Sequence, residues 1–381
     1  MLLGAQRSMR LPELWRSSRG RGQRIAVIDT GVAPHRLLAG RLLDGGDYVT
    51  GGSGLADCDG HGTAVAGIAA AAPDPATGFA GVAPAAEVLS IRQASPSYLV
   101  RGPDGVDRPS GTLDSLARAV RRAVDLGATV INISEVACAS PTAPGTGELR
   151  AALDGAARHD VVVVAAAGNS GDGRGGRCPE RPGSDVVALP GWFDEAVLTV
   201  GSLGPAGMAS TFSYPGPWVD VAAPGEALMS LAVGGSGVTD RLSGVSTTGP
   251  VDGTSFAAPS VAGLAALVRA RYPELTARQV VDRITATAAR HVGRSDTMGF
   301  GGVDPLAALT RAPEVLPPPG TRDRAATGVL ALDEPVQAGQ PAGPGVFWAG
   351  GLGLLAAVTA GVIAVGRLRR SGRPPPGGST R

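Results

Sequence analysis

The sequence predicts an α/β domain whose central parallel sheet is covered by helices on both faces, followed by one C-terminal transmembrane helix. Three observations predict this. Short apolar runs alternate with segments of helical period between residues 24 and 309, as in strands buried on both faces. Asp29 and Asn169 stand where such runs end, at the strand edge where open α/β sheets gather functional groups. The segment from Gly345 to Gly366 is 22 residues long and carries no charge. At the helical rise it spans about 33 Å, enough for a bilayer core.

Residues 24–29 (RIAVID) read as a buried strand ending in an acid. A carboxylate at a buried strand end needs partners, so Asp29 is either a cap or part of a site. Residues 57–72 (DCDGHGTAVAGIAAAA) set His61 between Gly60 and Gly62 at the start of a small-residue helix. The two glycines permit close backbone approach. His35, His159 and His291 have no such setting and read as surface residues.

Residues 87–91 read as a strand and residues 96–108, rich in Gly and Pro, as a loop. Residues 112–127 form an amphipathic helix with Leu113, Leu116, Ala117, Val120, Ala123 and Val124 inward. Residues 129–134 (TVINIS) and 161–167 (VVVVAAA) are buried strands, with a helix at 149–158 between them. The second strand runs into Gly168 and Asn169, and a further short strand follows at 197–200. Residues 250–271 (PVDGTSFAAPSVAGLAALVRAR) open on Gly253, Thr254 and Ser255 and continue as a small-residue helix. Alone, Ser255 reads as the N-cap of a buried helix. A helix at 276–290 completes the domain, followed by residues 299–302 and 305–309.

This divides the chain into an N-terminal remnant (1–22), a large α/β domain (23–312), a Pro-rich linker (313–344), the transmembrane helix (345–366) and a basic tail (367–381). Trp348 lies near one end of the span, and Arg367, Arg369, Arg370 and Arg373 follow it. The positive-inside rule then puts the tail in the cytoplasm and the large domain outside.

A hydrophobic fraction of 43% supports a sizeable core, and a net charge of +1 gives no basis for nucleic-acid binding. The three cysteines lack C-x-x-C or Cys/His spacing, and no acidic cluster has calcium-loop spacing. No metal or other cofactor is expected.

Asp29, His61 and Ser255 follow one another in the order Asp, His, Ser. Peptide hydrolysis uses each type. Serine is a poor nucleophile until an imidazole takes its proton. The same imidazole then protonates the leaving amine, and a buried carboxylate holds its tautomer. The oxyanion needs donors already in place. The Ser255 N–H, at a helix start, and the Asn169 side-chain amide are the candidates. An α/β-hydrolase esterase would need G-x-S-x-G and the order Ser, acid, His. The run Gly253-Thr254-Ser255-Phe256-Ala257 and the final place of Ser255 do not fit.

The blocks IAVIDTGV, DGHGTAVAGIAA, VVVAAAGN and GTSFAAPSVAGLAAL, which contain these four residues, resemble the subtilase family. Subtilisin has the same Asp, His, Ser order. The resemblance implies a three-layer α/β/α, subtilisin-like fold and serine endopeptidase activity without a cofactor. It further implies a substrate cleft bordered by Ile133, Ser134, Glu135 and Val136, with Ala167 and Gly168 also binding substrate. A protein or peptide substrate would pair there as an added strand. Within the subtilases the chain is similar to the mycosins, membrane-anchored proteases of actinobacterial type VII secretion. That similarity rests on DCDGHGTAVAGIAA, on NISEVAC and on the order protease, linker, span, basic tail. It implies association with the secretion membrane complex. A mainly structural role in that complex, with a dispensable triad, is the alternative.

Cys138 follows a strand and Cys178 lies in the loop after Asn169. These strand ends should be neighbours in a parallel sheet, so a Cys138–Cys178 disulfide is expected in an oxidising compartment. Cys58 is left over. Residues 1–24 contain no apolar stretch of signal-peptide type. Mycosins carry a signal peptide and an N-terminal extension that wraps the protease. The expectation is therefore a start upstream of Met1, with a cysteine that pairs with Cys58.

Overall fold

A computed structural model of the protein describes residues 7–312, apart from residues 8, 103, 172–177, 181–184, 236, 246–247 and 290–292. The linker, the proposed span at 345–366 and the basic tail lie outside the described residues, as does His291. Among the described residues, no helix is long and apolar enough to cross a membrane.

The strands up to residue 224, in chain order, are β1 (Arg24–Asp29), β2 (Leu42–Asp47), β3 (Glu87–Arg92), β4 (Ser95–Arg101), β5 (Asp107–Ser110), β6 (Val130–Ile133), β7 (Ala137–Ala139), β8 (Val162–Ala166), β9 (Val187–Leu189), β10 (Leu198–Leu203) and β11 (Val221–Pro224), and four short strands follow between residues 230 and 250. Seven of them form the central sheet in the order β2, β3, β1, β6, β8, β10, β11. Every neighbouring pair is parallel.

Strand side chains alternate between faces, and each face has its own core. Ile25 and Val27 enter one core while Ala26 and Ile28 enter the other. Val162, Val164 and Ala166 follow the first pair, and Val163 and Ala165 the second. The helices His61–Ala70, Thr254–Arg271 and Ala277–Thr287 fill the first core. Leu113–Asp125 and Thr146–Arg158 fill the second. The expected three-layer α/β/α arrangement around a parallel sheet is the one found.

The small residues of the first layer let helices approach closely. A side chain at Gly263 would meet Val82 Cβ at 2.7 Å and Ala69 O at 2.9 Å. No larger residue fits between the Thr254–Arg271 helix and its neighbours without moving backbone.

Several expectations change in detail. The stretch read as a loop at 96–108 is mostly a β-hairpin, with β4 antiparallel to β5. Its Gly and Pro residues occupy the turn and the exposed edge rather than abolishing pairing. The strand β2 (LLDGGD) was not expected, because Gly and Asp break its apolar pattern. The helix expected at 112–127 begins at Leu113, capped by Thr112 and Ser115 in a reciprocal box. Its Leu113 and Val124 are only partly buried. The helix expected to end at 290 stops at Thr287.

His35 is buried rather than at the surface. Its ring accepts from the Leu37 N–H and reaches the Gly237 carbonyl at 2.9 Å. Burial pushes its pKa down. His159 is exposed as expected. The N-terminal stretch also packs on the domain. Met9, Leu11 and Leu14 are buried in the first core, and Trp15 Nε1 donates to the Val82 carbonyl.

Candidate active site

The carboxyl ends of β1, β6 and β8 are neighbours, with Ile28 opposite Ile133 and Ile133 opposite Ala165. Asp29 closes β1, Ser134 and Glu135 follow β6, and Gly168 and Asn169 follow β8. The helices that begin at His61 and Thr254 supply the remaining groups.

Asp29 is fully buried. Its Oδ1 accepts from the Thr30 N–H at 2.7 Å and lies 2.7 Å from His61 Nδ1. That contact assigns the Nδ1 proton to the Asp29 side and leaves Nε2 unprotonated in the neutral ring. Burial works against the imidazolium, but the Asp29 carboxylate, with Glu135 and Asp57 behind it, outweighs it. The His61 pKa is pushed up to about 9.

Gly62 explains the close approach. A Cβ there would collide with the Gly31 carbonyl and sit 3.1 Å from Asp29 Cβ and Oδ1. The Gly62 N–H donates to Thr30 Oγ1, which in turn donates to Asp57 Oδ1. Asp57 also accepts from the N–H groups of Asp59, Gly60 and Thr63 and from the Thr63 hydroxyl. This buried carboxylate fixes the turn that delivers His61. Burial pushes its pKa up, against the pull of those hydrogen bonds.

Ser255 is the second residue of its helix, and Gly253, not Ser255, is the N-cap. The N-cap reading of Ser255 therefore fails, and its hydroxyl is left for other work. Gly253 has φ 149°, a conformation that a side chain would strain. A Cβ there would also stand 3.4 Å from Asn169 Nδ2.

Pro259 lies four residues beyond Ser255. It has no N–H to give the Ser255 carbonyl. That carbonyl instead accepts from Ser134 Oγ at 2.7 Å, and Ser134 Oγ accepts from Asn132 Nδ2 at 2.9 Å. The break in the helix ladder thus becomes a tie between β6 and the start of the helix.

Asn169 Oδ1 accepts from both the N–H and the hydroxyl of Thr254, at 3.0 and 3.1 Å. This fixes the side-chain plane and assigns Nδ2 as the free donor. The Phe256 ring, next to Ser255, stands 5.0 Å from the His61 ring.

A cleft of about 780 Å³ is lined by His61, Ser255 and Asn169 together with Ser134, Glu135 and Gly168, among others. Ile133 and Ala167, expected to bind substrate, are fully buried in the second core and do not line it. They point into the sheet layer because side chains alternate along a strand. The expected disulfide is present. Cys138 in β7 joins Cys178, with 5.3 Å between Cα atoms, and Cys58 is free and exposed.

Asp29, His61 and Glu135 could each offer one ligand atom, all within 4.8 Å. Of these atoms, His61 Nδ1 is already engaged by Asp29 Oδ1. Sequence reasoning missed Thr30, Asp57 and Pro259. The pattern Asp57-x-x-x-His61 and the proline after Ser255 were the available signals.

The family model for the subtilase family, peptidase S8, matches residues 20–302. The chain belongs to the subtilase family. It is a serine endopeptidase of that family. Mycosin-4 of Mycobacterium tuberculosis is 50% identical over 330 residues, covering 83% of this chain and 71% of its own length. Mycosin-3 of the same organism is 41% identical over 403 residues, covering 96% of this chain and 84% of its own. Among solved structures, the MycP3 protease from the type VII (ESX-3) secretion system aligns with TM-score 0.74 and 43% identity. That match covers 82% of this subtilase and 89% of the MycP3 chain. A chain of an intact ESX-5 inner membrane complex aligns with TM-score 0.74 and 35% identity, covering 90% of this subtilase and 84% of that chain.

Proposed function

We propose that this subtilase is a mycosin-like endopeptidase of type VII secretion, anchored by residues 345–366, with its catalytic domain outside the cytoplasmic membrane. Ser255 is the nucleophile, His61 the general base and Asp29 the group that orients His61. The Ser255 N–H and Asn169 Nδ2 bind the oxyanion. The observation that carries this is the Asp29–His61 hydrogen bond of 2.7 Å beside the cleft that also holds Ser255 and Asn169.

Neutral His61 accepts the Ser255 proton through Nε2 as Oγ attacks the scissile carbonyl. The imidazolium is stabilised by Asp29. The carbonyl oxygen gains negative charge and is met by donors fixed beforehand, so little reorganisation opposes the step. His61 then returns the proton to the leaving amine. Water repeats the sequence on the acyl-enzyme and restores Ser255. Ser134, Glu135 and Gly168 bind the peptide, while Ile133 and Ala167 support them from within the sheet. No step needs a cofactor.

The secretion assignment is supported by the similarity to MycP3 of the ESX-3 system and to a chain of the ESX-5 inner membrane complex. Another related structure is of the periplasmic assembly of that complex. These support a partner in the secretion membrane complex and an extracytoplasmic domain. The anchor is supported by the uncharged 22-residue segment with its basic stop, and by the 96% coverage in the match to Mycosin-3. The division of the chain remains 1–22, 23–312, 313–344, 345–366 and 367–381.

The test is peptide cleavage by purified variants. Ser255→Ala, His61→Ala and Asp29→Asn should each abolish cleavage while the protein stays folded. Asn169→Ala should leave a small residual rate, since one oxyanion donor remains. Cleavage by Ser255→Ala at the wild-type rate would overturn the assignment.

A further inference from the structure

We propose that Glu135 makes the cleft select a cationic substrate side chain, lysine or arginine, at one position flanking the scissile bond. The inference rests on the reading of this cleft as a peptide-binding endopeptidase site and names the substrate class that the site prefers.

Glu135 stands two residues beyond β6 and lines the cleft beside His61. Its side chain is 34% exposed, and Oε1 lies 4.0 Å from His61 Nδ1. That separation is too long for a hydrogen bond, and the Nδ1 proton is already held by Asp29 at 2.7 Å. Both Glu135 oxygens are therefore open to a ligand, and among the described residues nothing donates a hydrogen bond to them.

Among the described residues, the surroundings are short of positive charge. The charges acting on Glu135 are those of Asp29, His61 and Asp59, two of them negative. Asp59 is fully buried and held by the hydroxyls of Ser95 and Ser97, which bring no cation. Among the described residues, the cleft lining adds Asp252 and contains no arginine. The whole chain contains no lysine. Loss of hydration, then Asp29 and then Asp59, push the Glu135 pKa up to about 7, opposed by His61. A carboxylate so placed is costly when ionised and unpaired. An ammonium or guanidinium from the substrate would offset that cost with a charge-assisted hydrogen bond. An acidic residue at the same place would add like charge to a poorly hydrated group.

The experiment maps cleavage sites in a proteome-derived peptide mixture by mass spectrometry, for wild type, Glu135→Gln and Glu135→Arg. Paired quenched peptides carrying lysine, norleucine or glutamate at the enriched position then give kcat/KM. The wild type should prefer lysine over norleucine by about 10- to 100-fold. Glu135→Gln should bring that ratio near one, and Glu135→Arg should turn the preference toward glutamate. The Ser255→Ala protein, which binds without cutting, repeats the comparison as peptide affinity by fluorescence anisotropy. It tests the preference even if a Glu135 variant fails to fold or turnover is slow. Absence of basic enrichment at every position, equal affinity for the lysine and norleucine peptides, or a ratio unchanged in folded Glu135→Gln would overturn the proposal. Cleavage without cation preference sinks this inference alone. A wild type whose Ser255 takes no fluorophosphonate sinks the endopeptidase reading instead.

Discussion

The tie between Ser134 and the Ser255 carbonyl lends itself to a quantitative test. Ser134→Ala removes the donor to that carbonyl and the acceptor for Asn132 Nδ2. Ser134 and Asn132 are buried, and Asn132 Oδ1 already has no partner. Each polar group left unpaired in such a place costs about 1–3 kcal/mol. The variant should therefore unfold with about 2–4 kcal/mol less free energy, since partial relaxation recovers some of the sum. The start of the helix should also shift. We expect kcat/KM to fall about 10- to 100-fold, because small misplacements of a nucleophile are costly.

The specific claim is that Pro259 leaves the carbonyl in need of Ser134. Pro259→Ala restores an N–H to the helix ladder and offers the carbonyl a second donor. Ser134→Ala should then cost about 1–2 kcal/mol less with alanine at 259 than with proline. Urea unfolding of the four proteins of this cycle, followed by tryptophan fluorescence, measures the coupling. Additive effects, within about 0.3 kcal/mol, would refute the reasoning.

Four further outcomes are expected. The general base must be neutral, so kcat/KM should rise with pH along a limb above the ordinary imidazole value of 6.5, toward the His61 value of about 9; Glu135→Gln removes one carboxylate near His61 and should move that limb to lower pH. By the same linkage, the Asp29–His61 pairing contributes stability that is complete below pH 6.5 and lost as pH rises through about 9, so Asp29→Asn should cost least in alkali. The Cys138–Cys178 bridge spans 40 residues, and by loop entropy its removal in Cys138→Ala/Cys178→Ala should lower the unfolding free energy by about 4 kcal/mol in a urea melt. Protease added to intact spheroplasts should digest the catalytic domain or linker and spare a tag placed after Arg381; the reverse pattern would sink the proposed topology.

The residues of the site were legible because each sits where local pattern and chemistry coincide. Asp29 ends an apolar run, His61 lies between glycines, and Asn169 and Ser255 mark a strand end and a helix start. The groups that hold them were not legible, because their partners are distant in sequence. Ser134 acts through Ser255, 121 residues away, and Thr30 through Asp57, 27 residues away. The burial of His35 depends on the Gly237 carbonyl, 202 residues away. The β4–β5 hairpin was hidden by Pro96, Gly102 and Gly105, which read as loop because strand pairing there owes nothing to an apolar face. The side chains of Ile133 and Ala167 turn into the second core while their neighbours Ser134 and Gly168 meet the cleft, a one-residue difference that an apolar run does not reveal.

The central claim is that Ser255 is a nucleophile activated by His61. Labelling with a fluorophosphonate, followed by peptide mapping of the adduct, tests it most directly. The wild-type protein should carry the adduct on Ser255. Ser255→Ala should carry none, and His61→Ala should label at a small fraction of the wild-type rate. Folded wild-type protein that remains unlabelled, or an adduct that maps to another residue, would contradict it.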